Sequence, residues 1–140
     1  MPLPTSLTLD IVTPERPLLS EDVQEVVIPA AEGYLGVLPG HAPLLAALQI
    51  GEVSYRKGKD TFYLLVAFGF AEILPDRVTV LAQIAEKPED IDRKRAEAAK
   101  LRAEERLARP TLDMDFERAR IALMKALARL QVASRARTRA

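Results

Sequence analysis

After Glu86 the hydrophobic pattern of this chain changes period, from an alternation of two to the spacing of a helix, and alanine takes over from valine and isoleucine. A single element cannot carry both periods, because side chains alternate across a strand but recur every three to four residues on a helix face. The chain therefore reads as two domains, 1–86 and 87–140. Charge divides at the same place. Residues 1–86 hold five basic against eleven acidic side chains, a net of −6, and residues 87–140 hold fifteen against nine, a net of +6. The formal total of zero hides this asymmetry.

The first domain reads as short strands between turn residues. Leu7, Leu9 and Ile11 alternate with Thr8, Asp10 and Val12, the pattern of a half-buried strand. Val23 to Pro29 and Gly51 to Arg56 continue the theme. Lys57-Gly58-Lys59-Asp60 and Pro75-Asp76-Arg77 are hairpin signals, the glycine supplying the backbone freedom that a tight turn needs. This spacing predicts a β-sandwich of about eight to ten short strands.

The second domain predicts an antiparallel α-helical hairpin. Residues 89–108 are rich in strong helix formers, with Pro88 near the first turn and Pro110 just past the end. A second helix over about 114–133 is capped by Asp113 or Asp115, whose carboxylate accepts orphan backbone N–H groups. Its apolar stripe is Phe116, Ala119, Leu123, Ala126, Leu130 and Ala133, and the facing stripe is Ala96, Ala99, Ala103 and Leu107. Each alanine methyl contributes about 0.8 kcal/mol where a buried leucine contributes roughly 1.5–3. A seam so poor in large side chains predicts a weakly held hairpin, and a weakly held element suits a switch.

Enzyme readings find no support. Cysteine is absent, which removes disulfides and thiolate chemistry, and His41 is the single histidine, so no metal site or general base is completed around it. The phosphate-binding Gly-x-x-x-x-Gly-Lys-Ser/Thr, His-Glu-x-x-His and Gly-x-Ser-x-Gly patterns are all missing. The expectation is no catalytic residue, no metal and no required cofactor. The opening run Met1-Pro2-Leu3-Pro4-Thr5-Ser6 has neither a basic segment followed by an apolar one nor an arginine-rich amphipathic pattern, so export or import is not expected.

The run Gly33-Tyr34-Leu35-Gly36-Val37-Leu38-Pro39-Gly40-His41-Ala42-Pro43-Leu44-Leu45 closely resembles the signature loop of ε subunits of bacterial and chloroplast F-type ATP synthases. Val66 to Glu72 resembles the family's Gly-Gly-Phe-x-Glu strand, Val78 to Ala82 its last strand, and Ile91 to Ala96 its helical motif. Two departures stand out. Tyr34 lies where some relatives have a carboxylate, and Phe68 replaces the first glycine of the usual pair.

The resemblance implies a non-catalytic central-stalk subunit that couples proton flow to ATP synthesis and restrains ATP hydrolysis. It implies that the sandwich binds the γ subunit. The loop carrying Gly33, Tyr34, Gly36, Pro39, Gly40, His41 and Pro43 would face γ and the membrane c ring. The C-terminal helix would reach the catalytic α and β subunits, its basic residues Arg118, Arg120, Lys125 and Arg129 providing inhibition. ATP is implied as a regulatory ligand, matched residue by residue to Glu86, Asp92, Arg95, Arg102, Lys125 and Arg129. Read without the family, the same residues make a solvated face laced with pairs such as Asp92 with Arg95 and Glu105 with Arg109. The implied location is the cytoplasmic side of a bacterial plasma membrane, as a peripheral protein touching the membrane only through the complex and binding no nucleic acid. The alternative is a free-standing nucleotide- or nucleic-acid-binding module, since seven basic and no acidic residues follow from Arg118 to the end.

Overall fold

The computed structural model describes residues 3–112 and 114–138. The chain divides into two compact units, Met1–Glu86 and Lys87–Ala140.

Seven strands make one sheet in the first unit: β1 (Leu7–Val12), β2 (Pro17–Val23), β3 (Glu25–Ala30), β4 (Gly33–Val37), β5 (Leu44–Lys57), β6 (Asp60–Leu74) and β7 (Arg77–Glu86). Their order is β2-β1-β7-β6-β5-β3-β4. Neighbours are antiparallel except β1 and β7. Strand β2 also touches β5, although three strands separate them in the sheet, so the sheet doubles over on itself as a sandwich. Both turn signals close tight hairpins. Lys57 pairs with Asp60, with Gly58 at φ 63, and Leu74 pairs with Arg77. One core fills the interior, with Leu7, Leu9, Ile11, Ile28, Leu64 and Ile73 among its fully buried members. Each contributes roughly 1.5–3 kcal/mol.

Seven strands stand where eight to ten were expected, because β5 and β6 run unbroken through 14 and 15 residues. Both cross a crease at which the inward face changes parity. On β6 the core takes Phe62, Leu64 and Val66 before the crease, and Ala71 and Ile73 after it. Strand β5 changes between Leu48 and Val53, and β7 between Ala82 and Ala85. The crease lies at Phe68 and Gly69, whose φ values are 61 and 122, and the registers of β6 with β5 and with β7 both step from Ala67 to Gly69 there. Gly69 is obligatory, since a Cβ there would sit 2.0 Å from the Leu81 carbonyl oxygen. Phe68 holds a left-handed conformation that bulky residues rarely adopt.

The second unit opens with a 3-10 turn at Pro88–Asp90, followed by α1 (Arg93–Ala108) and α2 (Phe116–Thr138). The expected first helix is thus split: Ile91 and Asp92 are extended, and Asp92 caps α1 by accepting the Arg95 N–H at 3.1 Å. Asp115 does the same for α2, accepting the Arg118 N–H at 3.1 Å, while Asp113 lies outside the described residues. Helix α2 packs along α1 and reaches the 3-10 turn at the start of the unit, as an antiparallel return requires. The dry centre of the seam is alanine at seven-residue intervals: Ala96 and Ala103 on α1, Ala119, Ala126 and Ala133 on α2. Ala99, Leu107, Leu123 and Leu130 are half-buried. Phe116, expected in the seam, is 57% exposed at the first position of α2, and Val132, not expected there, is fully buried.

Candidate interaction sites

The first candidate site is the end of the sandwich where β4 hands over to β5. Strand β4 pairs only with β3 among the described residues and is therefore an edge. Residues 38–43 then turn back to start β5. Gly33 and Gly40 take φ values of 133 and 88, conformations that glycine adopts without a steric penalty. The loop is tied down along its length. Gly40 N–H donates to the Pro75 carbonyl at 2.7 Å and His41 N–H to the Leu38 carbonyl at 3.1 Å. The His41 ring nitrogen Nδ1 lies 2.6 Å from the Ala42 carbonyl, which can only accept, so that nitrogen carries the proton.

This loop presents apolar side chains to solvent. Tyr34, Leu38, Leu44 and Leu45 are 64, 54, 44 and 67% exposed. Beside them lies an open cleft of about 550 Å³ whose lining includes Ala31, Gly33, Tyr34, Leu45 and Ala47, with Glu32 its one charged residue. Clustered exposure of this kind marks a surface that meets another molecule. Gly33, Tyr34, Gly36, Pro39, Gly40, His41 and Pro43 all lie in this stretch. Leu44 and Leu45 were not among the residues singled out, although they close the same signature run.

Two side chains join this tip to β5. Pairing between β3 and β5 is regular from Glu25 to Val27 and resumes only at Ala30 opposite Leu48, so the β3–β5 register skips Gln49 to Val53, of which Ile50 to Val53 remain paired with β6. In that gap Tyr34 Oη accepts the Glu52 N–H at 3.3 Å. Gln49 Nε2 donates to the carbonyls of Ala30 and Ala31, each at 2.6 Å.

The second candidate site is the basic pair of helices. Asp92, the cap of α1, and Arg95 and Arg102 on that helix are exposed, and Lys125 and Arg129 are half-buried on α2. Glu86 ends β7 in the other unit, opposite Leu65. The Asp92 carboxylate is engaged as the helix cap. Arg118 is exposed. Arg120 departs from the expectation that the basic side chains of α2 have no acidic neighbour. It pairs with Glu117 one turn earlier, and it also donates to Met124 Sδ at 3.1 Å. Its hydrogen bond holds the Glu117 carboxyl below the ordinary carboxylate range, and Glu117 in turn raises the Arg120 guanidinium. Counting charges only from Arg118 onward had left this partner out. Among the described residues no cluster of acidic or histidine side chains is arranged to hold a metal, and no helix is long and apolar enough to cross a membrane.

Comparison with known proteins assigns both parts. Residues 6–88 match the family model for the β-sandwich domain of the ATP synthase delta/epsilon chain, and residues 89–134 match that for its long α-helix domain. An ATP synthase epsilon chain of Syntrophotalea carbinolica is 49% identical over 92% of this chain and 94% of its own length. That of Solibacter usitatus is 48% identical over 95% and 99%. Among solved structures, a chain of the Euglena gracilis mitochondrial ATP synthase, in a structure of OSCP, F1 and c ring, superposes with a TM-score of 0.82. It is 23% identical and covers 96% of this chain and 84% of its own, a likeness of fold.

Proposed function

The chain belongs to the ATP synthase delta/epsilon family, and on that premise we propose that it serves as the ε subunit of a rotary F-type ATP synthase, a rotor component with no chemistry of its own. The observation that carries this reading is that the two family models abut at residues 88 and 89 and together account for residues 6–134. The relatives are matched over nearly their whole length.

The sandwich is the gripping part. Its loop from Gly33 to Pro43 offers an apolar, internally braced surface, suited to hold a rotor formed by the γ subunit and the c ring. Rigid attachment matters because torque passes through the stalk, and a contact that gave under load would uncouple proton flow from synthesis. Membrane association is through the complex, on the cytoplasmic face of a bacterial membrane.

The helices are the regulatory part. Their alanine seam is thin, so an extended posture that reaches the α and β subunits costs little side-chain packing. The exposed cations Arg95 and Arg102, with Lys125 and Arg129 on the second helix, form a basic set suited to a polyphosphate. ATP held there stabilises the folded posture and relieves inhibition, as differential binding to one of two states requires.

The test of the stalk role is copurification. Tagged chain co-expressed with the remaining subunits brings down γ and the c ring; a preparation in which γ stays behind while the other subunits assemble refutes the reading. Deleting residues after Pro110 raises ATP hydrolysis by the assembled complex, and an unchanged rate removes the inhibitory role. Calorimetry with ATP on the full chain, compared with Arg95→Ala and Arg102→Ala, decides the nucleotide site; identical heats exclude it.

A further inference from the structure

We propose that Tyr34 and Gln49 are positioning residues that fasten the β3–β4 tip to β5 across the gap in their ladder, and so preset the loop that the rotor meets. This rests on the reading of that loop as the rotor-facing surface. The need arises from the crease. Where β5 turns out of register, its pairing with β3 skips from Leu48 to Ser54, and side-chain hydrogen bonds can tie the two strands where ladder bonds do not. Tyr34 and Gln49 supply such ties, one from β4 and the other from β5. The phenol hydroxyl accepts the N–H of Glu52. The Gln49 amide donates to the carbonyls of Ala30, which ends β3, and Ala31, in the turn before β4 begins at Gly33.

Geometry at Gly51 shows that the tyrosine side chain is seated there. Tyr34 pairs with Pro29 on β3 and reaches past it to β5. A Cβ added at Gly51 would lie 2.8 Å from Tyr34 Oη and 2.7 Å from Pro29 Cβ. The absence of a side chain at buried Gly51 therefore leaves the space in which the phenol oxygen sits. A carboxylate at position 34 has a shorter reach and no ring to lay over Pro29. In this chain residue 34 thus acts through the tip it holds, as a brace.

The experiment uses the full chain and three variants, Tyr34→Phe, Gln49→Leu and Gly51→Ala. Tyr34→Phe keeps the ring and removes only the hydroxyl. Amide hydrogen exchange on the isolated chain reads the brace directly. The Glu52 amide exchanges about fivefold faster in Tyr34→Phe, the ratio that corresponds to one net hydrogen bond, with protection in the Val53–Tyr55 core unchanged. Gly51→Ala gives the same loosening by crowding the Tyr34 hydroxyl and Pro29 on β3, and Gln49→Leu loosens Gly33 to Val37. Unchanged exchange at Glu52 in Tyr34→Phe overturns the brace. The second readout is dissociation from a purified γ–c-ring complex, expected to be several-fold faster in the loosened variants. Loosened exchange with unaltered dissociation overturns the positioning role. Failure of the unmodified chain to bind that complex overturns the rotor reading instead, and the exchange result distinguishes the two failures.

Discussion

The sandwich and the helical pair are built from opposite materials. The first is filled by leucine, isoleucine and valine drawn from all seven strands, and the second meets on alanine methyls spaced seven residues apart. A leucine core sets its elements in place through many interlocking contacts, whereas an alanine seam brings two backbones close and interlocks little. The contrast separates a part built to transmit force from a part built to change shape at low cost.

Several experiments break or sharpen this contrast. The largest effect is expected from Gly69→Ala. The new methyl would collide with backbone on the neighbouring strand, so the variant fails to form the sandwich, seen as loss of slow-exchanging amides. Next, Leu64→Ala destabilises the sandwich by about 2–5 kcal/mol, measured by denaturant unfolding. All three tyrosines lie before residue 86 and the helices lie after it, so tyrosine fluorescence reports one part and helical ellipticity mainly the other. The helical signal is expected to fade at lower denaturant than the tyrosine signal; coincident transitions would show that the contrast in materials has no consequence for stability. A smaller effect follows from Ala126→Gly, about 1 kcal/mol and confined to the helical signal.

The smallest effect is on pH. The Glu117 carboxyl is depressed below its ordinary value of 4.5 by its hydrogen bond to Arg120. The pair therefore contributes its stability above that value and loses it as pH falls through the depressed one. Helical ellipticity is expected to drop slightly on acidification below about pH 4, and Glu117→Gln removes the increment. Both side chains are exposed and screened, so added salt weakens the effect.

Much of the architecture was legible in the chain because burial follows period. Leu7, Leu9 and Ile11 alternate inward as written, and the hairpins at Gly58 and Pro75 close where their turn residues stand. Strand number was not legible, for a reason located at Phe68 and Gly69. When inward parity reverses within one strand, the alternation restarts and imitates a second strand. The alanine stripe was readable on both helices, but Val132 and Phe116 exchanged roles because position on a face does not tell what lies opposite. In the candidate site, the glycines and prolines of the loop announced themselves. The hydrogen bond from Glu52 to Tyr34 did not, since it spans 18 residues and exists only because a ladder lapses between β3 and β5.

The seven-residue recurrence of Ala96 and Ala103 on one helix, and of Ala119, Ala126 and Ala133 on the other, bears on axial alignment. Identical small rungs form a ruler whose marks are indistinguishable: sliding one helix by a whole heptad sets methyl against methyl again. The seam thus encodes which faces meet while leaving longitudinal position uncoded. That choice falls to the short link between Ala108 and Phe116, whose length is the gauge stop of the pair.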